Sequence, residues 1–494
     1  MANNKTNNKE QSRAEFLSFV QKEVERNSKL LLSSLTKTTT ATYEDFTKEK
    51  FRTYNKNPMS NEAKLREMSQ FLARVSMPYK RLLWYYASIP LFYWNLTPQI
   101  LDVTKIDNDK LLEEYMSLSH KVTTMSPAVE FKNAMYFALR DGVFYGVIYE
   151  SEDNFFIQKL DPNYCRPVQL DGGVWNFAFD FAYFDKNKEF LELWHPMFQT
   201  GYNNYLKDKK GMKWQILEDL QPNSSICIKA DPDSDLNLPF FIGTFEAIID
   251  LIDARTLQRN KDIIQNYKLI LQKMPTFDNG ETDDWKLEVE TALRYFRMLA
   301  DSVPENVGVA LTPMETDTID FKQDDTNSDL IANSMKNVFD DSGVSAMLFN
   351  SDKSGSIGLD ASIKTDIGLA WNIVSSIERW VQKYLIAYMN KTIFKFEILK
   401  VDIFNKDKAV DVELKLANNG VPNKMKLAAT TGLTPIDVVS NQILENDILN
   451  IVDNWKPLMT SFTQSSQEAG RPETDNPSDE TVKSRDGDKN KDEI

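Results

Sequence analysis

The sequence predicts an α+β fold that is mainly helical. Three observations carry the prediction. Apolar residues recur at steps of four and three from Ile363 through Ile367, Ala370, Val374, Ile377, Val381, Tyr384 and Tyr388, the stripe of one amphipathic helix of about seven turns. A second long stripe runs over 244–271, with Phe245, Ile248, Ile249, Ile252, Leu257, Ile263, Ile264 and Tyr267 on one side. Between 144 and 217 the pattern changes to short β-rich runs separated by Gly, Asp and Asn turns such as Asp171-Gly172-Gly173.

The remaining elements follow in chain order. Residues 1–12 are polar and Asn-rich and are expected to be flexible. A helix is expected over 13–31, where Phe16, Phe19, Val20 and Val24 share a face. Further helices are expected over 61–75, 109–120 and 127–139, with an aromatic run at 82–94 between the first two. Strands are expected at 144–149, 155–160, 174–183, 189–194 and 214–217. After the long 244–271 helix come a helix over 283–299, a strand over 307–311, and a helix to Phe339 with Ser328 as N-cap. The stretch Phe349 to Gly358 reads as a Gly/Ser loop, with Lys353 its one cation. The 363–388 helix, roughly 40 Å long, needs a large partner surface to bury its stripe. A strand over 394–404 and helices over 421–458 complete the ordered chain, one helix starting at Thr434-Pro435. From 463 onward, nine acids face five bases and only Ala469, Val482 and Ile494 are aliphatic, so a disordered acidic tail is expected.

Composition narrows function. The chain has 494 residues, 41% hydrophobic and 11% aromatic, enough for a large core. Its net charge is 58 − 73 = −15, which argues against wrapping nucleic acid with the whole surface. Cys165 and Cys227 cannot build a disulfide framework and read as buried small hydrophobes. Two histidines, His120 and His195, are few for an enzyme of this size. The 82–94 run is interrupted by Ser88 and Pro90 and is too short to span a bilayer, so no membrane role is expected. No signal-peptide core is read at the N-terminus, and the final Lys-Asp-Glu-Ile is taken as chance. No phosphate-binding loop, GxGxxG, HExxH or CxxC motif occurs. Ser34 to Lys37 matches SxxK without companion motifs. Asp231 to Asp235 resembles the start of a calcium loop, but Leu236 and Ile242 stand where Gly and Glu belong. No catalytic residue, metal site or cofactor is expected. A carboxylate-based hydrolase stays as an alternative, because 73 acids supply near pairs by number alone.

The order of these elements resembles the portal proteins of tailed bacteriophages, most of all those of siphoviruses infecting Gram-positive bacteria. Residues 80–90, KRLLWYYASIP, look like the family's YYxGxP segment, with Ser88 in place of the usual Gly. Arg140-Asp141-Gly142-Val143-Phe144-Tyr145-Gly146 resembles its helix-to-strand GxxYG element. Residues 243–254 look like the start of a first stem helix. Ser356-Ile357-Gly358-Leu359 and the helix behind it resemble the tunnel loop and the long wing helix, and 421–445 the first crown helices. The resemblance spans roughly 60–460.

That resemblance implies a portal architecture with wing, stem, clip and crown around a central channel. The wing would comprise 13–243 and 359–420, the stem helices 244–268 and 326–343, the clip 269–325, the tunnel loop 344–358, and the crown 421–462, followed by the tail at 463–494. It implies a homo-oligomeric ring, usually of twelve subunits, at one capsid vertex of a virion assembled in the host cytoplasm. Its partners would be double-stranded DNA without sequence specificity, the terminase large subunit, a head–tail adaptor, and the major capsid and scaffolding proteins. Another capsid or adaptor component is the alternative within virion assembly. Lys353, Ser354, Ser356 and Lys364 are the candidates for DNA contact in the tunnel loop. Asp283, Asp284, Glu288 and Glu290 are the candidates for partner docking in the clip. Residues 269–321 carry eleven acids and four bases, a net of −7, which suits a basic partner and disfavours a tight grip on phosphate.

Overall fold

The structure is a computed structural model. It describes Ser18, Val20, Gln21 and residues 46–451, apart from 101, 103, 105, 152–153, 267, 274–285, 303–306, 313–327, 346–347 and 349–355. The expected 13–31 helix lies outside the described residues except for Ser18, Val20 and Gln21, which are helical. The 463–494 tail lies wholly outside them.

The fold is α+β and mainly helical. Three helices open it: α1 (Lys48–Asn55), α2 (Pro58–Val75) and α3 (Met77–Ser88). Prolines at 58 and 78 sit in the first turns of α2 and α3, where a missing N–H costs nothing. The aromatic run 82–94 is split between α3, a bend at Phe92 with φ of 55°, and β1 (Trp94–Pro98). Leu82, Leu83 and Tyr86 are buried, whereas Trp84 is 47% exposed. Next come α4 (Asn108–Thr124) and α5 (Pro127–Asp141), longer than the periodicity alone marks out.

A β-rich part follows. Strands β2 (Val143–Glu150) and β3 (Phe155–Lys159) pair antiparallel, and β7 (Ser225–Lys229) takes the other side of β2. A second sheet orders β4 (Cys165–Asp171), β5 (Val174–Asp180) and β6 (Trp214–Ile216). β2 is apolar at nearly every position because it serves two cores. Val143, Tyr145, Val147 and Tyr149 enter an aromatic cluster with Phe177, Phe179, Phe181, Phe184, Trp194 and Phe198. Phe144 and Ile148 enter the main helical core. The period-2 alternation of a strand therefore sends both sets inward. After the short α6 (Tyr183–Lys186), the strand expected at 189–194 is a 3-10 turn, Lys188–Leu193; α7 (Pro196–Lys207) follows, its N-terminus capped by His195, and then the short α8 (Leu217–Leu220).

The GxxYG element has a physical explanation. Gly142 closes α5 in the left-handed region at φ 86°, and a Cβ there would lie 2.4 Å from the Asn237 carbonyl oxygen. A Cβ at Gly146 would lie 2.4 Å from Ile157 Cγ2 and 2.9 Å from Ile226 Cγ2. Glycine lets the three strands of this sheet close on one another.

The second half is built on two long helices, α9 (Phe245–Asn266) and α12 (Ser356–Tyr388). α9 ends before the 271 expected from periodicity, because Lys268–Lys273 is strand β8. α10 (Val289–Ser302), β9 (Val307–Thr312) and α11 (Ser328–Ser342) follow. The helix expected over 283–299 thus starts later, at Val289. Ser328 is the first residue of α11 rather than its cap. α12 buries Ala370, Ile373, Val374, Ile377, Trp380, Val381, Tyr384 and Leu385 in the main core, the middle of the expected stripe; Ile367 is only partly buried and Tyr388, at its end, is 48% exposed. Side chains of this size contribute about 1.5–3 kcal/mol each on burial. Trp380 also donates from Nε1 to the Ser225 carbonyl at 3.0 Å. Beyond α12, β10 (Phe394–Ile398) pairs antiparallel with β1. The strand expected to 404 stops at 398, and the chain turns where Asp402 Oδ1 accepts from the N–H groups of Phe404 and Asn405. α13 (Lys406–Asn418), not anticipated from the sequence, and α14 (Lys424–Thr431) complete this unit, which extends to Pro435. A second unit, 436–494, is described to Ile451 and holds the rest of α15 (Pro435–Gln442) and a π-helical turn, Ile443–Ile448.

Candidate functional site

α9 and α11 pack side by side and antiparallel. Gly243, just before α9, lies beside the Asp341 carbonyl in the last turn of α11. At this end the pair is rooted in the core: Phe245, Ile248, Ile249, Leu251 and Ala254 of α9 and Val338 and Phe339 of α11 are buried. Lys48 and Arg52 of α1 brace the root through ion pairs to Asp250 and Glu246. The hydrogen bond to Asp250 raises the Lys48 ammonium above its usual range. From Arg255 to Asn260 no side chain is buried, and Leu257 is 62% exposed. The pair therefore leaves the core as it approaches its far end.

That far end carries a β–α–β insertion. β8 and β9 pair parallel, Lys268 opposite Val307 through Lys273 opposite Thr312, and α10 lies on the crossover between them. Parallel neighbours require such a crossover. On α10, Leu293 is 40%, Tyr295 54% and Met298 60% exposed. Of the four docking candidates, Asp283 and Asp284 lie outside the described residues. Glu288 and Glu290 are exposed at the start of α10, where the helix dipole favours negative charge.

The DNA-contact candidates divide in the same way. Lys353 and Ser354 lie outside the described residues. Ser356 and Gly358, expected in a loop, belong to the first turn of α12. Lys364 is exposed on α12. Two residues on, Asp366 points the other way and is 1% exposed. Its Oδ1 accepts from the Tyr86 hydroxyl at 2.8 Å and its Oδ2 from Tyr85 at 3.0 Å. Burial raises its carboxyl, and the two hydroxyls partly offset the rise. This site was not among the sequence expectations, although an acid on the apolar stripe between Ile363 and Ala370 is a readable signal.

A cleft of about 400 Å³ is lined by two acids, Glu397 and Glu413, among Lys400, Lys408 and Lys426. Another of about 490 Å³ is lined by Glu150, His195, Asn223, Tyr384 and Tyr388 among others, and Glu150 is its only acid among the described residues. Glu150 is engaged by Lys121 at 2.7 Å and by the Tyr384 hydroxyl. His195 accepts from the Met197 N–H through Nδ1, and burial pushes its pKa down to about 4. It is a neutral cap of α7. A two-carboxylate mechanism needs two acids flanking one bond. Among the described residues, no group of three or more His, Cys, Asp or Glu is placed to hold a metal ion. No described helix is long and apolar enough to cross a membrane. Cys165 and Cys227 are buried free thiols, both pushed up by burial.

No family model matches the chain, and no curated protein matches it. One solved structure with a distant likeness is a chain from the virion of a native gene transfer agent particle. It is 12% identical, with a TM-score of 0.40, over 76% of this chain and 94% of that one. A likeness at that score does not assign a function.

Proposed function

We propose that this chain is the subunit of a phage portal: a ring at one capsid vertex through which genomic DNA is packaged and later ejected. The observation that carries the reading is the rooted helix pair α9/α11 bearing a β–α–β module at its far end. The pair would line a channel as the stem. The module would be the clip, docking first the terminase and then the head–tail adaptor. Its exposed Leu293, Tyr295 and Met298 are an apolar surface of the kind that marks a protein interface. The acidic charge of 269–321 leaves duplex DNA free to slide, since phosphate affinity comes from released counterions at basic groups. Lys353 and Lys364 would supply transient contact. The reading makes the protein a virion component with no catalytic step.

Negative-stain microscopy of the purified full chain tests it. Rings with a central hole, of about twelve subunits, are expected. A monomer at every concentration, or glycosidase turnover, would overturn it.

A further inference from the structure

On a chain of net charge −15, the stretch from Arg74 through α3 has the opposite sign. Residues 74–88 hold Arg74, Lys80 and Arg81 and no acid. The same stretch also leaves large apolar groups in water: Met77 is 70% and Trp84 47% exposed. The Trp84 indole is braced in place. Lys132 Nζ of α5 lies 5.4 Å from its ring centre, and the Tyr136 ring lies 5.5 Å away. An exposed, pre-positioned Trp with a cation over its ring has the make-up of an interface anchor.

The start of α4 is the converse. Residues 107–114 hold four acids and one base, and that base, Lys110, pairs with Asp107 at 3.0 Å. Asp109, Leu112 and Glu113 fall at i, i+3 and i+4 on one helix face, and Leu112 is 56% exposed. Two surfaces of one chain thus have matching apolar centres and opposite charge.

We propose that these surfaces are the two halves of one contact between copies, the α3/α5 face of one chain covering the start of α4 of the next. Because the two faces differ, the contact is head-to-tail and propagates around a ring or along a filament. Closure into a ring rests on the portal reading; the contact does not. Trp84 and Met77 bury apolar area against Leu112, and Arg81 facing Asp109 and Glu113 fixes the register. Duplex DNA is a poorer occupant, because phosphates gain nothing from covering Met77 and Trp84.

The test is sedimentation velocity of the full chain at low salt. It compares wild type, Arg81→Glu, Asp109→Lys with Glu113→Lys, and all three changes together. Each reversal should raise the concentration needed for half-assembly about tenfold or more, and the combination should restore it. Thermal melts that match wild type show that the variants are folded. Reversals that leave assembly unchanged, or a combination worse than either part, would overturn the contact. So would a charge reversal at Arg81 whose main effect is loss of binding to a 20-base-pair duplex. Rings that persist in every variant would sink this contact and leave the portal reading standing. Filaments that obey the charge swap would do the reverse.

Discussion

The Tyr86 hydroxyl donates to Asp366 Oδ1 at 2.8 Å and joins α3 to α12 across 280 residues of chain. Tyr85, the next residue, takes the other carboxylate oxygen, so both tyrosines of the YYxGxP-like segment converge on one acid. A buried carboxylate is tolerated only when its lone pairs are met. Two hydroxyls from one helix satisfy this requirement and fix α12 lengthwise against α3. On the portal reading, the anchored end of α12 is the end that bears the tunnel loop.

Tyr86→Phe should destabilise the fold by about 1.5–3 kcal/mol at neutral pH, the scale of a hydrogen bond to a charged group. The variant also raises the Asp366 pKa further above its ordinary value. A carboxyl raised in the folded state contributes stability below its unfolded pKa and loses it as pH rises through the folded one. The gap between wild type and variant should therefore narrow as pH falls and Asp366 takes up its proton. Denaturant titrations at two pH values read this directly. A gap that widens on acidification would mean that Tyr86 does not serve the ionised acid.

Gly146→Ala should cost about 1–3 kcal/mol, because the added methyl meets Ile157 and Ile226 from both flanking strands. Ile157→Leu in the same chain should recover part of the loss, because leucine lacks the Cγ2 methyl that the added carbon meets. An unchanged melting midpoint in Gly146→Ala would show that the sheet has slack at its centre.

Much of the helical frame was legible because amphipathic stripes are local signals. α12 follows the apolar steps from Ile367 to Tyr384, and Trp380 is core as its place on the stripe implies. Non-local pairing was less legible. Lys268–Lys273 continues the periodicity of α9 and is a strand only because β9 offers it a partner 39 residues on. β4 was missed because it exposes Val168 and Leu170, contains Pro167 and is bulged beside it. α7 was missed because Gly, Asn and aromatic residues form helices weakly, and its cap is a histidine. α13 was readable, since KDKAVDVELKLAN consists mostly of good helix formers. The Tyr85–Tyr86–Asp366 site needed three residues whose meeting only the fold reveals. Lys353, on which most of the proposed DNA contact rests, lies outside the described residues.

His195 supplies the remaining prediction. Its Nδ1 must stay unprotonated to accept from the Met197 N–H, and its ring packs edge-on to Tyr149 with centres 5.2 Å apart. Burial holds its pKa near 4, against about 6.5 in an unfolded chain. As pH falls from about 6.5 to about 4, the unfolded chain gains a proton that the folded chain refuses, so stability is lost over that window and levels off below it. The full loss is about 3 kcal/mol. Asparagine at this position can cap α7 through its side-chain oxygen but cannot titrate. His195→Asn should be slightly less stable than wild type at pH 7, for want of the ring contact with Tyr149. It should then lose less stability than wild type between pH 6.5 and 4. Taking the difference between the two proteins cancels the carboxylates that titrate in the same range. Parallel stability–pH curves for the two proteins would show that the imidazole takes up its proton without leaving its place in the fold.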